Sequence, residues 1–355
     1  MANLTLKDKP AKFSKKRGKN GMFNALYTDI AVDLGTANTL ICEKNKGVIL
    51  NEPSVVALNS TGKVVAVGHE ARLMHEKTHK NIRTVSPLKG GVIADFDIAE
   101  LMIRELVKKI NQKWYSKIRR MIVCVPSGIT DVERGAVRDS ASNAGAKEVY
   151  IVDETIAAAV GMGADVNEPV GNMIVDVGGG TTEIAIISLG GIVYSSSVRI
   201  GGDKLNEDIV NYFRRKFNLL IGERTGEQVK IEVGSATKLD KELEMLAKGR
   251  DIVKGVPKNQ RVTSEDVREA ISESVNTYLE AITKSLEQTP PELSADIIDR
   301  GIMLTGGGAL LRNLDKLITE STNLPVHMAE SPLTTVAEGM GMILGDLEGY
   351  RNLIS

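Results

Sequence analysis

Several common classes of protein are excluded by what this chain has little of. It carries two cysteines in 355 residues, and both Cys42 and Cys124 sit in apolar, strand-like runs. A disulfide-stapled scaffold is therefore ruled out, and the two thiols read as reduced core residues of a cytosolic protein. Aromatic residues make up 4% of the chain, with a single tryptophan. No apolar run approaches the ~20 residues that span a bilayer, and the basic start lacks the apolar stretch of a secretory signal. Charge of one sign is missing too: 45 Lys and Arg stand against 46 Asp and Glu, so the molecule as a whole is not built to attract nucleic acid. There is no G-x-x-x-x-G-K-[ST] loop, no G-x-S-x-G elbow, and no histidine spaced to activate either cysteine.

What the chain does have is one pattern written twice. Residues 33–39 read Asp-Leu-Gly-Thr-Ala-Asn-Thr, and residues 176–182 read Asp-Val-Gly-Gly-Gly-Thr-Thr. Each follows an apolar run and leads into another, which predicts strand, acidic strand end, tight turn, strand. Gly35 and Gly178, Gly179 and Gly180 are expected to allow backbone angles that a Cβ forbids, so that several N–H groups face one anion. Thr36, Asn38, Thr181 and Thr182 add short polar groups. Asp33 and Asp176 repel phosphate, and their useful role is to hold Mg²⁺ through water. A glycine-tipped hairpin explains one copy alone; two copies facing each other across a cleft would grip a nucleoside triphosphate from both sides.

The rest of the chain alternates strands and helices. Helices are expected at 98–111, 130–144 (with a Thr130/Glu133 capping box), 154–161, 203–218, 223–233, 264–288, 310–321 and 334–347, with short strands between. The Ala-rich stretch at 154–161 is small enough on one face to pack very closely. Mixed α/β sheets in two repeats follow. Gly306, Gly307 and Gly308 form a third glycine turn, read as leading from a strand into a helix whose N-terminus would favour a base, ribose or α-phosphate; a plain tight connection explains it equally. Glu154 opens the Ala-rich helix, with Asp153 as candidate cap. It could hold or deprotonate an attacking water, with Thr181 sharing that water, or simply stabilise the helix dipole.

Three features stand apart. His75-Glu76-Lys77-Thr78-His79 matches a zinc-protease pattern, but its polar flanks and crowding lysines favour an exposed helix or loop. The first twenty residues carry Lys7, Lys9, Lys12, Lys15, Lys16, Arg17 and Lys19 against Asp8 alone, a solvated tail or a segment drawn to anionic lipid. Trp114 and Tyr115 lie in a cationic loop, a pairing that suits a bilayer interface.

Taken together, Asp33–Thr39, Asn51–Val56, Pro126–Thr130, Asp176–Glu183 and Leu304–Leu311 resemble the actin/heat-shock chaperone/sugar kinase ATPase superfamily. Within it the order and wording of these blocks is similar to the MreB-type bacterial actins, from about Thr28 to Gly345. The resemblance implies an actin-like ATPase fold: two related α/β halves, each with an inserted smaller subdomain, and nucleotide in the central cleft. By position it implies a tail at 1–21, then subdomains at 22–54 with 87–167 and 335–355, at 55–86, at 168–204 with 269–334, and at 205–268. It also implies ATP and Mg²⁺ as cofactors. The phosphates fall to Gly35, Thr36, Ala37, Asn38 and to Gly178, Gly179, Gly180, Thr181, Thr182. Glu227 and Lys230 fall at the ribose and base, and Gly306, Gly307, Gly308, Ala309 and Leu310 on the adenosine side. Glu154 and Thr181 fall at the water-positioning pair, Asp33 and Asp176 at the metal, and Trp114 and Tyr115 at a membrane-insertion loop. Thr155 stands where the family usually has Pro. The implied activity is ATP hydrolysis coupled to assembly of double homopolymer filaments on the inner face of the cell membrane. Wall-synthesis and membrane-linker proteins of the elongation machinery are the implied partners, and rod cell shape the outcome. The alternative is a small-molecule, sugar-type kinase of the same fold; a chaperone ATPase is a third.

Overall fold

The computed structural model describes residues 27–75, 77, 81–110 and 117–355. The basic tail, Trp114 and Tyr115, and most of the His75–His79 motif lie outside the described residues. The first half runs β1 (Tyr27–Leu34), β2 (Asn38–Glu43), β3 (Gly47–Pro53), β4 (Val56–Asn59), β5 (Val64–Val67), α1 (His69–Met74), β6 (Ile82–Val85), β7 (Leu88–Lys89), β8 (Val92–Ile93), α2 (Phe96–Ile110), β9 (Lys117–Val125), α3 (Asp131–Asn143), β10 (Glu148–Asp153) and α4 (Glu154–Gly161). The second runs β11 (Asn172–Val177), β12 (Thr182–Ser188), β13 (Gly191–Val198), α5 (Gly202–Lys216), β14 (Leu219–Leu220), α6 (Glu223–Val233), β15 (Glu244–Asp251), β16 (Pro257–Thr263), α7 (Ser264–Glu287), α8 (Pro291–Arg300), β17 (Ile302–Thr305), a 3₁₀ turn (Gly307–Leu310), α9 (Leu314–Thr322), β18 (Val326–Met328) and α10 (Thr335–Gly345).

Two five-stranded sheets repeat one topology, β10-β9-β1-β2-β3 and β18-β17-β11-β12-β13. In each, the central strand pairs antiparallel with the next strand in the chain and parallel with a later one, β1 with β2 and β9, β11 with β12 and β17. The central strands are buried on both faces, which is why Ile30-Ala31-Val32 and Met173-Ile174-Val175 read as continuous apolar runs. Three-stranded sheets β5-β4-β6 and β14-β15-β16 form the smaller units. The segment up to Arg83 carries β5 and α1, and that between α6 and Arg261 carries the β15–β16 ladder. The β15–β16 alternation is too polar to stand out, because one face stays in solvent.

Each half has its own core, and a third lies between them. That middle core is built on α4 and α10, which follow the topologically equivalent strands β10 and β18. The expected close packing of the Ala-rich helix is seen here. A Cβ at Gly339 would collide with the Ala157 carbonyl oxygen, and one at Gly161 with that of Thr335. Thr130 and Glu133 form the expected capping box on α3, whereas Asp153, at the N-cap of α4, makes no side-chain cap bond.

Candidate functional site

The two acidic-glycine turns meet. A Cβ built on Gly179 would lie 2.7 Å from Ala37 Cβ, and one on Gly180 would lie 2.5 Å from Thr36 Oγ1 and 2.8 Å from the Gly91 nitrogen. The glycines are thus needed for close approach between halves. They were expected to supply left-handed backbone angles, but Gly35 and Gly178 to Gly180 all lie outside the positive-φ region, which Gly306 does occupy at 84°.

Each turn is held from behind. Ser54 Oγ donates to the Gly35 carbonyl at 2.6 Å and Ser54 N to that of Ala37 at 3.0 Å. In the second turn the carbonyls of Gly178 and Gly179 accept from the first N–H groups of α5, Gly202 at 2.9 Å and Asp203 at 2.8 Å. In a trans peptide the next N–H points opposite to the carbonyl. Tying these four carbonyls back therefore aims the N–H groups of Thr36, Asn38, Gly179 and Gly180 forward, into the cleft. Thr36 Oγ1 also accepts from Gly91 N at 3.0 Å, closing the floor.

The cleft, about 620 Å³, brings together Asp33, Gly35, Thr36, Ala37, Asn38, Glu154, Asp176, Gly178, Gly179, Gly180, Thr181, Glu227, Lys230, Gly306, Gly307, Gly308 and Leu310. A volume of this order suits a nucleotide. Two expected residues lie elsewhere. Thr182 is on the opposite face of β12 and donates to the Ile200 carbonyl at 2.8 Å, and Ala309 is packed into the core of the second half. The third glycine turn also differs: it enters a 3₁₀ turn, and α9 begins only at Leu314, so no α-helix N-terminus faces the cleft there.

The floor of the cleft is acidic and dry. Burial pushes the Asp33 carboxyl up to about 7. Burial and the charges of Asp33 and Glu183 do the same for Asp176, and Glu154 is held well above the usual range by burial, then by Asp176, Asp33 and Glu183. Asp176 Oδ2 has no hydrogen-bond partner. Such a set is frustrated as it stands and fits a divalent cation, which would pair the ionised carboxylates. Among the described residues no three carboxylate, histidine or cysteine groups close on one point, which fits a hydrated Mg²⁺ rather than a directly ligated one. On the opposite rim, Ile231, Leu310 and Leu333 are more than half exposed along the cleft, an apolar wall for a flat base.

Both thiols are free and buried. Cys42 donates to the Ala337 carbonyl at 3.0 Å, and burial pushes its thiol up to about 12. His75 caps the end of α1 with its Nδ1 2.7 Å from Thr84 Oγ1, so the helix stops before the zinc-like motif begins.

The family model for the MreB/Mbl protein matches residues 27–352. The chain belongs to the MreB/Mbl family. It is 50% identical to the cell shape-determining protein MreB of Escherichia coli K12 over 330 residues, covering 91% of this chain and 94% of that one. The MreB5 of Spiroplasma citri, solved with ADP and with AMPPNP, superposes with TM-scores of 0.86 and 0.85 at 38% and 39% identity, covering 92% and 91% of this chain and 97% of that one. The MamK double helical filament shares the fold, with a TM-score of 0.75 at 21% identity over 89% of this chain and 98% of that one. The architecture is thus the actin-like one, and the chain is a cell-shape-determining bacterial actin of the MreB/Mbl type.

Within this MreB-family cleft, sequence reasoning passed over Ser54, Gly91 and Glu183. Ser54 is fully buried beneath the first turn and pairs with Thr39 Oγ1 at 2.9 Å. Glu183, 1% exposed, accepts from Ser197 Oγ at 2.6 Å and lies opposite Asp176 in the β11–β12 ladder. The Asn-Glu-Pro-Ser block and the acid after Thr-Thr were the available signals, but neither residue type declares such a role by itself.

Proposed function

We propose that this chain binds and hydrolyses Mg²⁺-ATP and assembles into membrane-bound double filaments that organise wall synthesis. One observation carries the reading: the two acidic-glycine turns touch, with their free N–H groups and three buried carboxylates converging on one cleft. The adenine nucleotides held by the Spiroplasma protein support the ligand class. Mg²⁺, held through water by Asp33 and Asp176, would neutralise phosphate charge and keep Glu154 ionised.

The chain's own groups supply the rest. N–H groups of Thr36, Asn38, Gly179 and Gly180 receive the phosphate oxygens and stabilise charge that develops on them. Lys230, whose Nζ donates to the Gly202 carbonyl at 2.8 Å, and Glu227 take the ribose side. Glu154 orients water at the terminal phosphate and takes its proton, with Thr181 sharing the water. Closure of the cleft on assembly brings Glu154 into register, and phosphate release loosens the polymer. Four subdomains, divided as the resemblance implies, surround the site. The inner membrane face is reached through Trp114 and Tyr115 and by the basic tail, and linker and wall-synthesis proteins dock on the polymer.

Glu154→Ala should bind ATP normally yet release phosphate at least tenfold more slowly, measured alongside pelleting and electron microscopy on a lipid monolayer. Unaltered turnover would remove Glu154 from the mechanism, and absence of ATP-dependent pelleting would remove the filament.

A further inference from the structure

We propose that Arg72 is a nucleotide-retention residue: from α1 on one side of the cleft it ion-pairs with Glu227 of α6 on the other, clasping the mouth over the bound nucleoside. The inference rests on the reading of the cleft as a nucleotide site.

Arg72 Nη2 donates to Glu227 Oε2, across 155 positions of sequence. Other close contacts between the halves are made at the touching turns and at α4 with α10, and the Arg72 side chain is 40% accessible. Arg72 is therefore set on the rim, away from the floor. Its platform is rigid. Gly68 turns the chain into α1 with φ of 71°, His69 N and Nδ1 both engage Glu52 Oε2 at 2.6 and 2.8 Å, and Lys109 Nζ holds Glu52 Oε1 at 3.0 Å. The helix is fixed by its first turn, and Arg72 is presented from the next.

The receiving side is acidic, with Asp203, Glu223 and Glu227 around Lys230. Asp203 is pushed up to about 6, by burial and then by Glu223, while Lys230 and Arg72 draw it down and Glu227 raises it. Lys230 answers this charge from the same half, its Nζ donating to the Gly202 carbonyl, and Arg72 adds positive charge from the opposite half. Its bond occupies Oε2 of Glu227 and leaves Oε1 to accept from a ribose hydroxyl. The nucleoside wall is thus completed only when the mouth is shut. A nucleotide leaving the cleft must first part this pair, and a nucleotide arriving favours its formation, since the coupling is reciprocal. The pair is part-exposed, with side chains 40% and 32% accessible, so it is reversible and open to screening by salt.

The test is the dissociation rate of a fluorescent ATP analogue, chased with excess ATP, from monomeric wild type and three variants. Arg72→Ala should release it about two- to fivefold faster, in the range of a part-exposed ion pair. Arg72→Glu should be faster still, and Arg72→Lys within about twofold of wild type. Wild-type release should quicken with salt while Arg72→Ala responds less. All three should melt like wild type without nucleotide, because the residue is on the surface; a merely structural role would move the melt and leave the rate. Equal dissociation rates in wild type, Ala and Glu forms overturn the proposal. Failure of wild type to bind the analogue overturns the nucleotide reading itself, and the clasp with it.

Discussion

Asp176→Asn should strengthen the protein without nucleotide and weaken its response to Mg²⁺-ATP. Asp176 is 2% exposed, one of its oxygens is unpartnered, and its acidity is pushed from 3.8 to about 7. Burial is the main cause, followed by the charges of Asp33 and Glu183. At pH 7.5 the group is mostly ionised, and keeping that charge buried costs the folded chain stability relative to the unfolded one. Three units at about 1.4 kcal/mol each set an upper bound of about 4 kcal/mol; relaxation and water entry around buried charge leave about 2 kcal/mol as the working magnitude. Asn keeps the shape and removes the charge. With unfolding entropy scaling with chain length, that corresponds to a melting temperature about 3 °C higher. The pH trend has a definite sign. A carboxylate held above its unfolded value binds its proton more tightly in the folded state, so stability is highest when it is protonated and falls as pH rises from about 4 to about 7. Wild type without nucleotide should gain about 1 kcal/mol per such carboxylate between pH 7.5 and 6, and Asp176→Asn less in total. Differential scanning fluorimetry with and without Mg²⁺-ATP reads both effects. A variant that melts no higher than wild type alone, or that keeps the full Mg²⁺-ATP shift, would refute the reasoning.

Other consequences can be checked separately. Gly179→Ala places a methyl against Ala37, so the turns must part; ATP affinity should fall at least tenfold by fluorescence titration, while far-ultraviolet circular dichroism stays unchanged. Gly339→Ala drives a methyl into the backbone of α4 and should cost about 1–3 kcal/mol or more in urea unfolding, a figure that an unshifted midpoint would contradict. Trp114→Ser with Tyr115→Ser should release filaments from anionic liposomes and spare nucleotide binding, because many weak anchors on one polymer act together; unchanged co-sedimentation speaks against it.

Much of the site was legible because its chemistry is written in local strings. Asp33, the two turns and Glu154 each lie beside a strand end that the apolar pattern already marks, and the cleft gathers them. Two kinds of error followed from reading locally. Thr182 was grouped with Thr181 by adjacency, although successive strand residues face opposite ways. The triple glycine was read as a helix start, although it enters a 3₁₀ turn, with the Gly306 and Gly308 carbonyls accepting from Ala309 and Leu311, and α9 begins only at Leu314. Long-range partners were invisible for a different reason. Ser54 under Gly35 and Arg72 opposite Glu227 become meaningful only once distant segments are neighbours, and nothing in the Val-Ala-Val-Gly-His-Glu-Ala-Arg string points to residue 227. The β15–β16 ladder is hard to see because polar residues such as Glu244, Lys248, Arg250, Asn259 and Arg261 hold most of its outward positions.

The matching order of the two large sheets has a consequence for the bound phosphates. Equivalent turns from the two copies meet at the place where those copies are related by symmetry, and the equivalent helices α4 and α10 cross beneath. A triphosphate bound there would lie close to an axis that it does not itself share, so each copy would face a different side of the same guest. That asymmetry gives the copies reason to diverge. One offers Thr-Ala-Asn and the other Gly-Gly-Thr, and one begins its crossing helix with Glu154 where the other begins with Thr335. The proposed water-orienting carboxylate, Glu154, belongs to one copy and the Gly306–Gly308 turn to the other, a division of labour within what is architecturally a dimer joined into a single chain.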